Sequence, residues 1–308
     1  MNDHPAISDA TKAKVEAAAK KLGYHRRKKC SEPKYPTNTV GIIIPDILTH
    51  YYTHMVCALT DQFRRKNYSV VTMCSDYLQN EAVHAVKLLS GMGVRCLLIF
   101  QGDSEATSKQ LVTAVHTSGI PTMFITPNYI STMDYDCLYL DERRGNAMAL
   151  EHLRHRGYHK LAYIGDINTV KSRDMFLKTM KTFKMEINQN FVRIGPERLE
   201  RGGYLRMKEI LEMPQLPDAV YCSYDQMAVG AISAIQEAGL RIPADIAVVS
   251  LDGIAVMEYI AGGVTTISAP YDDMAAIAVR ILLNRVDMPY CQPQQIAIKP
   301  TLKIRGTT

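Results

Sequence analysis

From Thr39 onward, short apolar runs alternate with amphipathic stretches, and this alternation marks repeated strand–helix units built around a parallel sheet. Val40-Gly41-Ile42-Ile43-Ile44 and the runs at 68–74, 94–100 and 120–125 are apolar at successive positions, as strands covered on both faces must be. Between them, residues 55–66, 81–90 and 109–118 show helical spacing, and Gly93 and Gly119 mark helix ends. A second series begins at Leu161-Ala162-Tyr163-Ile164. It continues through Ala219-Val220-Tyr221-Cys222, a helix burying Ala228, Ala231, Ile232 and Ile235, and a strand over 246–251. The expected fold class is therefore α/β, with two doubly wound parallel-sheet lobes. The alternating segment 295–303 is expected to return as a strand to a sheet already formed.

Within the second series, Asp225 follows one strand and Asp252 ends the next. Carboxyl ends of parallel strands line the crevice where ligands bind, and a carboxylate accepts hydrogen bonds from neighbouring hydroxyls. The pair suits a ligand rich in hydroxyl or amino donors. Asp225 also suits a helix cap. Asp46 ends the first apolar run and faces either the crevice or its own turn after Pro45. Tyr51 and Tyr52 offer aromatic faces to a sugar or simply pack.

The chain has 308 residues, 47% hydrophobic and 22% charged, enough for two cores. Its formal net charge of +5 is unevenly placed, with His25-Arg26-Arg27-Lys28-Lys29 concentrated near the start. That placement favours a local polyanion contact over a uniformly basic surface. Seven cysteines lie scattered without a Cys-x-x-Cys pair, as buried reduced thiols of a cytoplasmic protein would. No apolar stretch is long enough for a membrane span, and residues 1–5 lack the apolar core of a secretory signal. No phosphate-binding loop, dinucleotide fingerprint, Gly-x-Ser-x-Gly or His-Glu-x-x-His is present, so neither an enzyme nor a cofactor is expected. His4 has no neighbours that would make it a metal ligand.

The first 38 residues differ in character. Ser8 caps a helix with Val15, Ala18, Ala19 and Leu22 on its apolar stripe and Gly23 at its end. A basic segment with Pro33 and Pro36 follows and reads as a linker.

Taken in order, these segments resemble the lactose/galactose repressor family of bacterial transcription regulators. Residues 7–18 with Leu22-Gly23-Tyr24 look like the third helix of its DNA-binding head, and Val40 to Asp46 like the first strand of its sensor. Leu140-Asp141 through Gly145, Gly157-Tyr158, Ile164-Gly165, residues 225–231, residues 239–245 and Thr265-Thr266-Ile267 follow the family's pattern in the same order. The resemblance implies a head remnant at 1–25, a hinge at 26–38 and an effector-binding, dimerising core at 39–308. Its first lobe would take about 39–158 plus 270–290, and its second about 159–269 plus 291–308. It further implies a cytoplasmic repressor of sugar genes that pairs as a homodimer, binds operator DNA and no membrane, and is governed by a small sugar-like effector. On that likeness the effector contacts are Asp252, Arg173, Asp225, Asp46, Asp141 and Tyr271, and the DNA contacts Asn2, Arg26, Arg27, Lys28 and Lys29.

Four departures from the pattern matter. The chain begins where the recognition helix is ending, and Cys30-Ser31-Glu32-Pro33 stands where a leucine-bearing hinge helix is usual. Phe176 and Pro127 replace the family's glycine and arginine near the effector. The alternative expectation is a sugar-binding sensor that does not hold operator DNA.

Overall fold

The computed structural model describes residues 38–102, 108–126, 134–289 and 291–308. The helix begun by Ser8, the basic segment and the expected DNA contacts Asn2, Arg26, Arg27, Lys28 and Lys29 lie outside the described residues, as does Pro127.

The first lobe runs β1 (Thr39–Ile44), α1 (His50–Arg64), β2 (Ser69–Cys74), α2 (Gln79–Gly91), β3 (Cys96–Phe100), α3 (Lys109–Ser118), β4 (Thr122–Thr126) and β5 (Asp136–Leu140). The second contains α4 (Glu142–His155), β6 (Leu161–Asp166), α5 (Val170–Thr182), β7 (Val192–Gly195), α6 (Leu199–Leu211), β8 (Ala219–Cys222), α7 (Asp225–Glu237), β9 (Ala247–Asp252) and β10 (Thr265–Ser268). The chain then returns through α8 (Tyr271–Asp287), β11 (Gln295–Ile298) and β12 (Thr301–Lys303).

One sheet has the order β11-β5-β4-β3-β1-β2, the other β12-β10-β9-β8-β6-β7. Every pairing is parallel except β10 with β12. Strand order therefore reverses beside β1 in the first sheet and beside β6 in the second, which opens a crevice at the carboxyl end of each.

The helices cover the sheets with apolar stripes. On α1 these are Tyr52, Met55, Leu59 and Phe63, spaced three or four residues apart, and they join the Val40, Ile42 and Ile44 face of β1. In the second lobe α6 and α7 meet at backbone distance, because Gly202, Gly203 and Gly230 carry no side chain. A Cβ on Gly203 would lie 1.9 Å from the Met227 carbonyl oxygen.

The lobes exchange chain at different places from those expected. The second lobe does not begin near residue 159. Helix α4 already packs there, with Ala149, Leu150 and Leu153 against Leu161, Tyr163 and Ile267. Met274, Ala275, Ala278 and Leu282 of α8, within the 270–290 stretch assigned to the first lobe, lie in the first core. Segment 295–303 is two strands rather than one, with β11 pairing β5 in the first sheet and β12 pairing β10 in the second. Pro300, which has no N–H to donate, stands between them. The second lobe's share of the tail thus starts after β11.

Of the six described cysteines, Cys96, Cys137 and Cys222 are buried, whereas Cys57, Cys74 and Cys291 are exposed. Among the described residues no helix is long and apolar enough to cross a membrane.

Candidate functional site

A cavity opens between the lobes at the carboxyl ends of their strands. Thr49, Tyr51, Phe100, Gln101, Thr126 and Leu140 line it from the first lobe. Glu142, Asp166, Ser172, Arg198, Ser223 and Asp252 are among those facing them from the second.

Asp252 closes β9 with only 6% of its surface exposed. Its φ is +119°, in the region that L side chains avoid, and Gly253 follows at +78°. The turn needs that glycine, since a Cβ there would lie 2.2 Å from Ser268 Oγ. Burial pushes the Asp252 carboxyl well above the ordinary range, with further push from Asp225 and Glu142. Tyr271 does not line the cavity. Its hydroxyl donates to the Asp252 carbonyl oxygen at 3.0 Å, so it holds the turn from behind. Its ring sits beside those of Tyr51 and His54.

Asp225 starts α7 and is 0% exposed. Oδ1 accepts from the hydroxyls of Ser250 and Thr266, and Oδ2 accepts from Ile254 N at 2.7 Å. Burial pushes its carboxyl up to about 6, against the lowering effect of these donors. The structure thus spends this carboxylate on tying β9, β10 and the 253–254 turn together, outside the cavity lining.

Asp46 is turned inward in a comparable way. Oδ1 accepts from Leu48 N and Thr49 N at 2.7 Å each, and Oδ2 faces Arg198 Nη2 at 3.1 Å. Burial raises the Asp46 carboxyl, but the Thr49 N–H, Tyr77 hydroxyl and Arg198 outweigh it, and the net shift is downward. Arg198, which precedes α6, also donates to Tyr77 OH at 2.7 Å and Thr49 Oγ1 at 3.0 Å. Its Nε lies 3.3 Å from Asp166 Oδ2, and its guanidinium lies over the Tyr77 ring. Burial would lower the Arg198 pKa, but Tyr77, Asp166 and Asp46 overcome it and raise it. Nearby, Gln226 Oε1 accepts from His50 N at 2.9 Å while Nε2 donates to the Leu48 carbonyl at 3.2 Å. Arg198 and Gln226 therefore fasten the loop after β1 to the second lobe.

The remaining expected contacts lie elsewhere. Arg173 grips its neighbour Asp174, at 2.6 Å from Nη2 and 2.9 Å from Nε, and does not line the cavity. Phe176 is buried against Tyr163 and Tyr221 as part of the second lobe's core. Asp141 caps α4 by accepting from Arg144 N at 3.1 Å, and the next residue, Glu142, is the one that faces the cavity. Glu142 is buried and takes a hydrogen bond from Ser172 Oγ at 2.9 Å.

Arg198, Tyr77, Glu142, Asp166 and Gln226 escaped the sequence reading. Asp166 was within its reach, because it ends β6 just as Asp252 ends β9. Arg198 follows an edge strand in an irregular turn and carries no such signal. Among the described residues, no group of three His, Cys, Asp or Glu side chains is placed to hold a metal ion.

Two doubly wound lobes with a polar cavity across their strand ends define a ligand-binding α/β protein. The chain belongs to the periplasmic binding protein-like domain family, whose profile matches residues 150–308. It is 26% identical to the ribose operon repressor of Escherichia coli (strain K12), across 100% of this chain and 93% of that protein. It is 29% identical to the HTH-type transcriptional repressor PurR of Haemophilus influenzae (strain PittEE), across 99% and 92%. In fold it is similar to the Lac repressor bound to ONPG in the repressed state, with a TM-score of 0.79, 22% identity and coverage of 100% and 93%. The transcriptional regulator CelR–cellobiose complex gives 0.78, 21%, and 99% and 92%. These relatives are lactose/galactose-repressor-type transcription regulators rather than enzymes, and the chain carries a ligand-binding regulatory domain of their kind.

Proposed function

We propose that this protein is a cytoplasmic transcription regulator, acting as a homodimeric repressor of sugar-uptake or catabolic genes, whose grip on operator DNA is set by a small sugar-like ligand between the lobes. The observation that carries this reading is the carboxyl of Asp252, buried yet facing an interlobe cavity that it shares with hydroxyls, amides, aromatic rings and the charged side chains of Glu142, Asp166 and Arg198. Such a wall suits a polyhydroxylated ring, with carboxylates accepting from hydroxyls and ring faces packing on tyrosines. Kinship with repressors over nearly the whole length supports the DNA half of the reading. There Arg26, Arg27, Lys28 and Lys29 would meet phosphates, and Asn2 would stand near the bases.

A ligand that prefers one lobe arrangement and DNA that prefers another are linked reciprocally. The test is anisotropy of labelled DNA flanking the protein's own gene, at near-physiological salt, with and without a sugar panel. Preferential binding to that DNA, weakened by one sugar, is expected. Sugar binding without any DNA preference would leave a sensor alone, and binding of neither would remove the reading. Asp252→Ala is expected to abolish sugar-induced thermal stabilisation, which for wild type at a hundred times Kd amounts to about 2.7 kcal/mol.

A further inference from the structure

The charges around the cavity are lopsided. Its lining carries three carboxyl side chains, Glu142, Asp166 and Asp252, against one guanidinium, that of Arg198. Arg198 is already committed, lying within 3.3 Å of Asp166 and 3.1 Å of Asp46.

Asp252 is the group this leaves exposed to its own kind. Among the described residues no side chain donates to its carboxyl, and the backbone of Asp225 supplies its hydrogen bond. The two charged groups that act on it are both acids. They are Asp225, outside the cavity lining, and Glu142, which lines the same cavity, and the phenols of Tyr51 and Tyr271 also lie within electrostatic reach of it. A neutral hydroxyl would satisfy an oxygen of Asp252 without offsetting the cost of ionising it beside two acids. An anionic ligand would add to it. An ammonium would relieve it and could donate three hydrogen bonds to carboxylates on either side.

We propose that the cavity selects a polyhydroxylated ligand bearing a protonated amine, the ammonium lodging between Asp252 and Glu142 and the hydroxyls facing Asp166, Thr126 and Ser223. This rests on the sugar-sensor reading above and narrows it to amino or imino sugars, against sugar phosphates and sugar acids. Tyr51, which lines the same corner, presents an aromatic ring suited to the cation.

The experiment is titration calorimetry of the full chain with matched probes. Glucosamine, galactosamine, mannosamine and 1-deoxynojirimycin are each compared with the parent hexose, and the three hexosamines with their N-acetyl forms, with hexose 6-phosphates as the anionic arm. At least one amine is expected to bind about tenfold or more tightly than its neutral partners, with no measurable binding of the phosphates. Glu142→Gln, checked for folding by circular dichroism, is expected to bring the amine-to-neutral ratio towards one. Neutral sugars that bind as well as their amines, or a phosphate that binds, would overturn the amine proposal and leave the sugar-sensor reading standing. If no probe binds, both fall. Because the wild-type panel decides alone, a variant that fails to fold does not rescue the idea.

Discussion

The Arg198 guanidinium lies 3.1 Å from Asp46 Oδ2 although the two residues belong to different lobes. The same side chain satisfies the Tyr77 hydroxyl and Asp166, so one residue carries an ion-pair network spanning the mouth of the cleft. A two-lobed receptor must exchange such contacts when it opens, and their strength sets how readily the lobes part. The lobe arrangement is thus held by the contacts of Arg198 with Asp46, Tyr77 and Asp166 at the cavity rim.

Removing Arg198 should therefore both destabilise the protein and loosen the lobes. Arg198→Met leaves Asp166, fully buried, with the Tyr224 hydroxyl at 2.7 Å and the Asn168 N–H at 2.7 Å but no cation. Loss of one partner of a buried pair costs on the order of 2–4 kcal/mol. The expected result is a lower urea midpoint at unchanged slope, together with a larger radius of gyration in small-angle scattering. A midpoint and radius equal to wild type would show that Arg198 holds nothing.

Gln226 acts on the same loop without charge. Gln226→Ala removes its bonds to His50 N and the Leu48 carbonyl, and a loss of about 1 kcal/mol is expected. Because Arg198 grips Asp46 and Thr49 of that loop, the two substitutions should couple by about 0.5 kcal/mol or more in a double-mutant cycle. Strict additivity would mean that the contacts are independent rather than one clasp.

The α6–α7 contact should tolerate no side chain. A Cβ on Gly230 would lie 1.8 Å from the Glu200 carbonyl oxygen, and one on Gly203 just as close to Met227, both backbone atoms that cannot swing aside. Gly203→Ala and Gly230→Ala are each expected to cost about 1–3 kcal/mol or more. Gly91→Ala is the matched control, since nothing lies within 4 Å of its Cβ site, and it should be neutral or slightly stabilising. Thermal melts of the three variants check this, and equal melting temperatures would contradict it.

The central strands were legible in sequence because parallel strands buried on both faces must be apolar at every position, as Ile42, Ile43 and Ile44 are, whereas β2, also read as covered, is a half-exposed edge strand. The carboxyl-end rule then pointed to Asp252. What sequence could not convey was which sheet a helix covers. The stripe Ala149, Leu150, Leu153 says that α4 is buried but not that it has crossed to the second lobe. That crossing turns Asp141 into a cap and points Glu142 at the cavity, a difference of one residue no periodicity resolves. Arg198 meets Thr49 across 149 positions of sequence, so only the closed fold brings them together. Asp225 obeys the rule for position, but the hydroxyls of Ser250 and Thr266 occupy its Oδ1 and it lies outside the cavity lining, which periodicity does not convey.

Asp225 also gives the protein a pH signature. Its carboxyl is pushed from the usual 3.8 up to about 6, mainly by burial, so between those values the folded chain holds a proton that the unfolded chain has released. Stability from this group is therefore greatest below pH 4 and falls as pH rises through 6, by roughly 3 kcal/mol at most. Asp252, packed against it and also raised, extends the fall in the same direction. Asp225→Asn removes the titration and lightens the repulsion on Asp252. Denaturation profiles of wild type and variant between pH 4 and 7.5 should accordingly diverge, wild type losing ground to the variant as pH rises. Ordinary surface carboxylates contribute equally to both chains and cancel in the difference. Parallel profiles across that range would mean that Asp225 is ionised throughout, its donors having offset its burial in full.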